Sequence, residues 1–318
     1  MSGTSWDGAL GKLGFGAAGI GNLYRAMPDT QAAATVKAAW DSGVRYFDTA
    51  PHYGLGLSER RLGAVLREKP RGEFTVSTKV GRLLVPNAVG FSAKDDEGFD
   101  VAATSKRQWD FSEAGIRRSI KESLERLGLD HVDIAYLHDP DVHNLAKGIG
   151  EALPVLEKLR ADGVVKAIGV GTNSAEAALE CVEAADLDLV MLAGRYTLLE
   201  QPGVPFLDRC VARGTGVVNV GVFNSGLLAR PDVPEDSHYN YARAPRALVE
   251  RARALAGVCR GFGVELPTAA LQFSLRHPAV VNVTVGASSP EQVSANAARM
   301  NEDVPEELWA ALAGVRGD

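Results

Sequence analysis

Four side chains suited to proton transfer stand at or just beyond the ends of predicted strands. Asp48, Lys79 and His138 each end one of three consecutive β-rich segments, and Tyr53 follows Asp48 by five residues. A nearby ammonium group stabilises a phenolate, and a buried lysine beside an aspartate has to pair with it. The four residues therefore predict a site in which Tyr53 protonates a carbonyl oxygen and His138 donates a second hydrogen bond to that oxygen.

The alternation of side chains along the strands favours one shared site. Because successive residues of a strand face opposite sides, Ser77 shares a face with Lys79, and Tyr136 shares a face with His138. Taken singly, the lysine is equally explained as a salt-bridge partner, and the histidine as a satisfied core residue. The convergence of four such residues favours catalysis over these structural explanations.

The elements that must position these residues alternate between short β-rich segments and longer amphipathic segments. This order is typical of parallel strands joined by crossover helices, and eight strands indicate a (β/α)8 TIM barrel in a single domain spanning residues 1–318. The predicted strands are Leu13–Gly16, Arg45–Thr49, Thr75–Val80, Val132–His138, Lys166–Gly171, Leu187–Ala193, Gly216–Val222 and Val281–Gly286. The predicted helices are Thr30–Ser42, Ser58–Arg67, Ser112–Leu127, Gly150–Ala161, Ser174–Ala185, Val204–Arg213, Pro245–Phe262 and Thr268–Arg276.

Two connections are longer than a barrel requires. They span Arg82–Phe111 after the third strand and Phe223–Ala244 after the seventh. Both leave the carboxyl ends of strands, where barrel active sites are built, so they are predicted to be binding loops. A disordered insertion is the alternative interpretation.

Composition narrows the class of protein. The 318 residues carry a net charge of −6, which gives no electrostatic reason to expect nucleic acid or an anionic membrane as a partner. Three widely spaced cysteines form neither a disulfide framework nor a metal knuckle, and no leader or membrane-spanning segment is recognisable. We therefore expect a cytoplasmic protein without a metal, a monomer or small homo-oligomer, that acts on a small molecule.

The segment Gly14–Gly19 matches the dinucleotide-binding pattern G-x-G-x-x-G, and the next strand ends in an acid. In that fold a helix begins inside the glycine motif, because its N-terminus carries the pyrophosphate. Here Gly21 and Pro28 follow, and helical periodicity starts only near Thr30. The sequence therefore favours glycines that loop the backbone over a site at the mouth of the first strand.

The chain resembles the aldo-keto reductases over nearly its whole length. The resemblance is carried by four motifs in the same order as in that family: Phe47–Gly54, the strand ending in Lys79, Ser123–Asp130 with the strand ending in His138, and Gly286–Gln292. It implies a barrel that binds an extended nicotinamide cofactor, with Asp48, Tyr53, Lys79 and His138 as the catalytic tetrad. Tyr53 would then be the acid in reduction and the base in alcohol oxidation.

The resemblance also implies a set of cofactor-binding residues. Thr172 and Asn173 would hold the carboxamide and Tyr196 would stack on the nicotinamide, whereas Ala193 replaces a glutamine that the family often has. The seventh loop would strap the pyrophosphate, and the segment after the eighth strand would hold the adenosine half. These two groups are Phe223, Asn224, Ser225, Gly226 and Leu227, and then Gly286, Ser288, Ser289, Gln292 and Asn296.

Cofactor choice is predicted from charge. Relatives that prefer NADP place a cation near the last of these segments, whereas this chain has no positive charge between Gly286 and Arg299. A 2′-phosphate without a cation loses a charge-assisted contact of about 1.5–3 kcal/mol. We therefore expect NAD as the preferred cofactor and NADP as the alternative.

Within the family, the segments Gly81–Pro86, His138–Asp141 and Gly194–Gln201 are most similar to a branch that oxidises ring hemiacetals to lactones. That branch contains aldose 1-dehydrogenases, L-fucose dehydrogenase and pyridoxal 4-dehydrogenase. It implies oxidation of an aldose such as L-fucose, with Trp109 either a platform for a sugar or pyridine ring or a loop anchor.

Other functions stay open at this point. They are pyridoxal oxidation, general aldehyde or ketone reduction, a non-catalytic cofactor-sensing barrel subunit, and a Schiff-base aldolase that uses Lys79. A metal hydrolase built on His138 and its neighbours is disfavoured, because its acidic and histidine residues crowd one loop and no other strand supplies a ligand.

Overall fold

The computed structural model, which describes residues 6, 8–239 and 242–316, contains a closed barrel of eight parallel strands. The barrel strands, here β1 to β8, are Leu13–Gly16, Tyr46–Asp48, Thr75–Val80, Ile134–His138, Ala167–Thr172, Leu189–Ala193, Gly216–Val220 and Val280–Gly286. Each strand pairs with its neighbour along the chain, and β8 pairs with β1 to close the barrel. The predicted fold class is confirmed, and every predicted strand boundary lies within two residues of the observed one.

Ten helices of eight or more residues surround the barrel in the described part of the chain. Ser112 and Ser174 cap two of them, since each side chain accepts a hydrogen bond from a backbone N–H of the first turn. These helices, α1 to α10, are Asp29–Asp41, Leu57–Leu66, Glu113–Leu127, Leu153–Ala161, Ala175–Ala184, Val204–Arg213, Arg246–Gly261, Leu266–Phe273, Pro290–Met300 and Glu306–Arg316.

The core has two layers, as expected for a barrel wrapped in helices. The larger layer lies between the strands and the helices and includes Phe47, Ile116 and Leu156. The smaller layer fills the barrel interior and includes Tyr46 and Tyr136. Because the interior is filled, an inward-pointing side chain can line a cavity at the carboxyl end of the barrel only if it lies near the carboxyl end of its strand.

Strand register sets the relative heights of the candidate catalytic residues. Asp48 is level with Ser77 of β3, and Lys79 is level with Tyr136 of β4. His138 then lies two residues beyond the level of Lys79 on the neighbouring strand. The three residues that end consecutive strands are thus brought to one end of the barrel.

Both long connections contain antiparallel hairpins that the sequence analysis did not predict. The first pairs Arg82–Pro86 with Ser105–Trp109, and the second pairs His238–Tyr239 with Ala242–Arg243. Charged residues such as Lys106 and Arg107 hide the first hairpin from a search for apolar alternation. These connections are structured, so the interpretation as a disordered insertion is wrong for the first of them.

The glycine-rich segment after β1 is not the start of a dinucleotide-binding helix. A 3₁₀ turn, Gly19–Gly21, follows it, and the first α-helix begins only at Asp29. A Cβ on Gly21 would lie 3.0 Å from the backbone of Tyr53, so glycine allows the β1 loop to approach the catalytic loop closely.

The three cysteines are buried and free. In the part of the chain that the structure describes, no helix is long and apolar enough to cross a membrane.

Candidate active site

The four predicted catalytic residues come together at the carboxyl end of the barrel. Tyr53, Lys79 and His138 line a cavity of about 560 Å³, and Asp48 lies beneath it. The carboxyl ends of β2, β3 and β4 supply three of the residues, and the loop after β2 supplies Tyr53.

Asp48 and Lys79 form a buried ion pair. The Nζ atom of Lys79 lies 2.6 Å from Oδ2 of Asp48 and also donates to the Thr49 carbonyl at 3.1 Å. Burial acts to lower the pKa of Lys79, but the charge of Asp48 and the nearby Tyr53 outweigh it, so that the net shift is upward. Lys79 is therefore a permanent ammonium group and a poor nucleophile, which argues against the Schiff-base aldolase.

Tyr53 lies over this ammonium group. Nζ of Lys79 is 4.8 Å from the centroid of the tyrosine ring. Burial raises the pKa of Tyr53, and the charge of Lys79 opposes that rise without reversing it. The phenol is therefore protonated at neutral pH in the free protein, beside a cation that favours its ionised form.

His138 is a neutral imidazole. Burial holds the pKa of His138 well below its usual range, and the positive charges of Arg82 and Lys79 lower it further. Its ring is perpendicular to that of Tyr53, with the ring centroids 5.9 Å apart. A neutral imidazole of low pKa can hydrogen-bond an uncharged substrate oxygen and still leave the phenol proton on Tyr53.

A chain of buried hydroxyl groups continues from the ion pair into the barrel. Ser77 donates to Oδ1 of Asp48 at 2.7 Å, and the Tyr46 hydroxyl lies 3.0 Å from Ser77 Oγ and 3.2 Å from the Tyr136 hydroxyl. The alternation of inward-facing residues predicted that these side chains share the barrel interior. Their hydrogen bonds were not predicted.

The first hairpin is fixed to the barrel by stacked charged and aromatic groups. The Arg82 guanidinium lies 4.3 Å from the Trp109 ring and donates to Asp139 at 2.6 Å. The ring of Trp109 also stacks on His143 in a nearly parallel arrangement. Trp109 lies outside the described residues that line the catalytic cavity, so its position supports the loop anchor and not the substrate platform.

Residues from the tip of this hairpin line the catalytic cavity, and the sequence analysis missed them. Phe99 packs on the Tyr53 ring at 6.0 Å, and Glu97 and His52 line the same cavity. Burial and the charges of Arg107 and Arg82 lower the pKa of His52 to about 2, so His52 is uncharged. His52 could have been suspected from its place next to Tyr53, whereas no sequence signal distinguishes Glu97 from the other acidic residues of the loop.

Two further cavities extend the catalytic cavity into one groove across the barrel end. The middle cavity, of about 720 Å³, shares Asn173, Ala193 and Gly221 with the catalytic one. The outer cavity, of about 730 Å³, continues from it and shares Gly226 and Gly286. The predicted cofactor residues that line these two cavities are Asn173, Phe223, Asn224, Ser225, Gly226, Gly286, Gln292 and Asn296.

The loop after β7 presents backbone to this groove. Gly221, Asn224, Ser225 and Gly226 all have positive φ angles, of 69°, 48°, 58° and 96°. Consecutive backbone N–H groups in such a conformation form a concave anion-binding surface. The Asn224 side chain is 5% exposed, and its Oδ1 atom has no hydrogen-bond partner within the described structure. A long, partly apolar groove with such a backbone surface and an unsatisfied amide oxygen fits an extended nicotinamide cofactor.

The remaining predicted cofactor residues have other surroundings. Thr172 lines the catalytic cavity, and its hydroxyl donates to Asp141 at 2.7 Å. Tyr196 is buried with its ring 5.0 Å from that of Phe273, and it is outside the described lining of all three cavities. Leu227 is also fully buried. The positions of Tyr196 and Leu227 therefore give no support to their predicted contacts.

Ser288 and Ser289 lie at the start of α9. Ser289 is the N-cap residue and accepts a hydrogen bond from the Gln292 backbone N–H at 3.4 Å. Ser288 accepts a hydrogen bond from Arg25 of the β1 loop at 3.2 Å. Arg25 thus brings a positive charge to a segment that has none of its own, and the cofactor prediction did not take this residue into account.

The fold and the site agree with the comparison to known families. The aldo/keto reductase family model matches residues 12–316, which is almost the whole chain. The chain belongs to the aldo/keto reductase family. Two relatives of this reductase are a D-threo-aldose 1-dehydrogenase of Pseudomonas sp, 52% identical over 97% of this chain and 94% of the relative, and a pyridoxal 4-dehydrogenase of Microbacterium luteolum, 38% identical over 94% and 92%.

The structure is similar to that of an aldo-keto reductase of Bacillus halodurans in its holo form. The TM-score is 0.77 and the sequences are 26% identical, with 96% of this chain and 92% of the other chain covered. The aldo/keto reductase is therefore an oxidoreductase, and members of its family use nicotinamide cofactors. The 52% identity to a dehydrogenase favours an enzyme over the non-catalytic barrel subunit.

Proposed function

We propose that this aldo/keto reductase is an aldose 1-dehydrogenase, which oxidises the anomeric carbon of a sugar such as L-fucose to a lactone. The observation that carries the proposal is the buried Asp48–Lys79 pair beneath Tyr53, next to the neutral imidazole of His138. The 52% identity to a D-threo-aldose 1-dehydrogenase over nearly the full length of both chains supports the choice of substrate class.

The residues of the site divide the work as follows. A bound nicotinamide cofactor supplies the hydride acceptor. The ionised Tyr53 removes the proton from the anomeric hydroxyl group as hydride leaves the carbon that bears it, and the resulting C=O bond is that of the lactone. Lys79 stabilises the phenolate, and Asp48 keeps the ammonium group charged and oriented.

His138 positions the reacting oxygen. Because burial lowers its pKa, the imidazole of His138 is a weak base and hydrogen-bonds the anomeric oxygen without competing for the proton that Tyr53 must take. Phe99, itself 4% exposed, packs on the ring of Tyr53 with the ring centroids 6.0 Å apart.

For the cofactor we propose NAD in preference to NADP. The outer cavity contains Arg230 and Arg299, but Asp236 and Glu291 line it as well, and Arg299 already pairs with Glu265 at 2.9 Å. The exposed Arg25 is then the cation that would give NADP its residual binding. Thr172, Asn173 and the loop after β7 would hold the cofactor across the groove.

A second candidate is the oxidation of pyridoxal to its lactone. The relative named pyridoxal 4-dehydrogenase supports it, and the ring of Phe99 beside Tyr53 provides an aromatic surface for a pyridine. General aldehyde reduction is the remaining alternative, since it would use Tyr53 as the acid and would need no further residue.

The proposal is tested by a spectrophotometric screen for formation or loss of reduced nicotinamide. The purified protein is supplied with NAD or NADP and with L-fucose, D-arabinose, L-galactose or pyridoxal, and separately with reduced cofactor and simple aldehydes. We expect the highest kcat/KM for an aldose with NAD. Activity confined to pyridoxal would select the second candidate, and activity confined to aldehydes with NADPH would exclude both dehydrogenases.

A further inference from the structure

Glu97 is an acidic residue in the wall of the catalytic cavity that the proposed chemistry does not use. It lines the cavity together with Tyr53 and His138, and its side chain is 44% exposed. The other carboxylates close to this wall, those of Asp95 and Asp139, are 3% and 16% exposed. Glu97 is thus the most accessible of these three acids to a molecule that occupies the cavity.

The backbone around Glu97 is fixed by a buried ion pair. Asp95 pairs with Arg107, and its Oδ2 atom accepts hydrogen bonds from the backbone N–H groups of Glu97 and Phe99, both at 3.3 Å. Arg107 also donates to the carbonyl of His52, the residue before the proposed catalytic tyrosine. The position of Glu97 relative to Tyr53 is therefore set by buried contacts and not by its own exposed side chain.

The carboxylate of Glu97 has cations beside it but keeps capacity to accept hydrogen bonds. Its oxygens lie 3.5 Å from Arg107, 3.6 Å from His52 and 3.8 Å from Arg82. These distances are at or beyond the limit of a direct hydrogen bond, so the lone pairs of the Glu97 carboxylate are not fully used by these neighbours.

The charges of this wall do not balance. Arg82 and Arg107 face three carboxylates, those of Asp95, Glu97 and Asp139, while the charges of the Asp48–Lys79 pair beneath cancel. Both histidines of the wall are uncharged, because burial lowers the pKa of each. The wall therefore has an excess of one negative charge, which disfavours an anionic substrate.

We propose that Glu97 determines substrate specificity by accepting hydrogen bonds from a hydroxyl group of a neutral polyhydroxylated substrate, at a carbon other than the reacting one, and by repelling substrates that carry a carboxylate or phosphate. This inference rests on the proposed aldose dehydrogenase function. It adds the class of sugar, neutral and hydroxyl-rich, and a residue that recognises it.

The test compares Glu97→Gln with a matched control, Asp96→Asn. Asp96 is exposed and precedes Glu97, so the control removes the same charge from the same loop. The substrates are the best aldose from the screen, its monodeoxy analogues and the corresponding uronic acid. In Glu97→Gln we expect KM for the aldose to rise roughly tenfold to a hundredfold, as for loss of a charge-assisted hydrogen bond, with kcat changed by less than about threefold.

The deoxy analogues separate recognition from a loosened loop. One analogue lacks the hydroxyl group that Glu97 recognises, and its KM should already be high with the unmodified protein. That KM should not rise further in Glu97→Gln. In Glu97→Gln, kcat/KM for the uronic acid should rise relative to kcat/KM for the aldose. Asp96→Asn should have the kinetic constants of the unmodified protein with every substrate.

Two results would overturn the inference. They are equal effects of Glu97→Gln and Asp96→Asn, and a uniform loss across all deoxy analogues. Either would leave aldose oxidation by the unmodified protein intact. Failure of the proposed function would instead appear as absence of aldose oxidation in the unmodified protein, which removes the substrate class as well.

Discussion

The two long connections of the barrel offer different chemistry to the same groove. The connection after β3 presents side chains: its hairpin carries the buried Asp95–Arg107 pair and brings Glu97 and Phe99 to the catalytic cavity. The connection after β7 presents main chain to the middle cavity, with positive φ angles at Gly221 and from Asn224 to Gly226, and no Asp, Glu, Lys or Arg is among the described residues that line that cavity. The first region offers charged side chains of the kind that can select a polar substrate, and the second offers backbone groups suited to the proposed cofactor.

The difference has a physical basis. Side-chain charges can be exchanged by single substitutions without altering the path of the chain, so they are suited to specificity. Backbone N–H groups cannot be exchanged, and their arrangement depends only on which residues tolerate the left-handed conformation. Tyr53, the proposed catalytic residue, lines the catalytic cavity together with Phe99 of the first region and Gly221 of the second.

Removing the reacting group should leave both regions intact. In Tyr53→Phe we expect kcat to fall by about 10²–10⁴-fold, because general acid–base catalysis is lost, while cofactor affinity is unchanged. Steady-state kinetics and a fluorescence titration with reduced cofactor measure the two effects. Turnover close to that of the unmodified protein would remove Tyr53 from the mechanism.

The pH dependence of the reaction should differ in sign between its two directions. Burial raises the pKa of Tyr53, so at neutral pH the phenol is protonated and the base required for oxidation is scarce. We expect kcat/KM for oxidation to rise about tenfold per pH unit until the pKa is reached, and kcat/KM for reduction to fall above it. A flat oxidation profile between about pH 6 and pH 9 would contradict this assignment.

A substitution that disrupts the connection after β3 should weaken substrate binding and leave cofactor binding unchanged. Asp95→Ala removes one partner of a buried ion pair, a change that costs about 3–5 kcal/mol locally, and releases the backbone at Glu97 and Phe99. We expect KM for the aldose to rise more than about tenfold at saturating cofactor, with an unchanged cofactor Kd. The exposed Asp96→Ala is the control, and an equal KM effect in both variants would count against the proposed role of the pair.

A substitution that distorts the backbone of the connection after β7 should weaken cofactor binding and leave substrate binding unchanged. Gly221 has φ of 69°, and a Cβ there would lie 3.0 Å from the Gly194 nitrogen. Since a left-handed residue with a side chain costs about 1–2 kcal/mol, we expect Gly221→Ala to weaken cofactor binding about tenfold and leave KM for the aldose unchanged. Gly257→Ala, on a helix with open space at its Cβ, should behave as the unmodified protein.

The smallest effect concerns the choice between the two cofactors. Arg25 is exposed, so the loss of its charge in Arg25→Met should weaken NADP binding by at most about fivefold and leave NAD binding unchanged. Titrations with each cofactor measure the ratio of the two Kd values. Equal weakening of both cofactors would show that Arg25 acts on the loop and not on the 2′-phosphate.

The barrel and the tetrad were predictable because local patterns encode them. Apolar strands recur at the spacing of β/α units, and Asp48, Lys79 and His138 each end a strand, so sequence position alone indicates their location. The N-cap at Ser289 was predictable for the same reason, since capping involves residues three apart.

The parts that escaped prediction depend on contacts between distant segments. Arg25 reaches Ser288 across 263 residues of sequence, and the loop that carries Glu97 is held beside the cavity by Arg107, which donates to the His52 carbonyl, and by pairing of Phe99 with Leu23. The resemblance assigned Tyr196 to the cofactor and left Trp109 open between a substrate platform and a loop anchor. In the structure the ring of Trp109 stacks on His143, and that of Tyr196 lies 5.0 Å from that of Phe273. These contacts cannot be recognised from the sequence, because they depend on the path of the chain in space.

The hairpin after β3 enters and leaves the barrel at one place, because Arg82 is the direct partner of Trp109 in its ladder. The stretch between these two residues can be exchanged without interrupting the chain of the barrel, provided that the new stretch replaces the contacts of Asp95 with Arg107 and of Phe99 and Asp100 with the loop after β1. Under that condition, we expect a transplant of the stretch from 87 to 104 of a relative with another substrate to change substrate specificity, while the strands that carry Asp48, Lys79 and His138 keep their sequence.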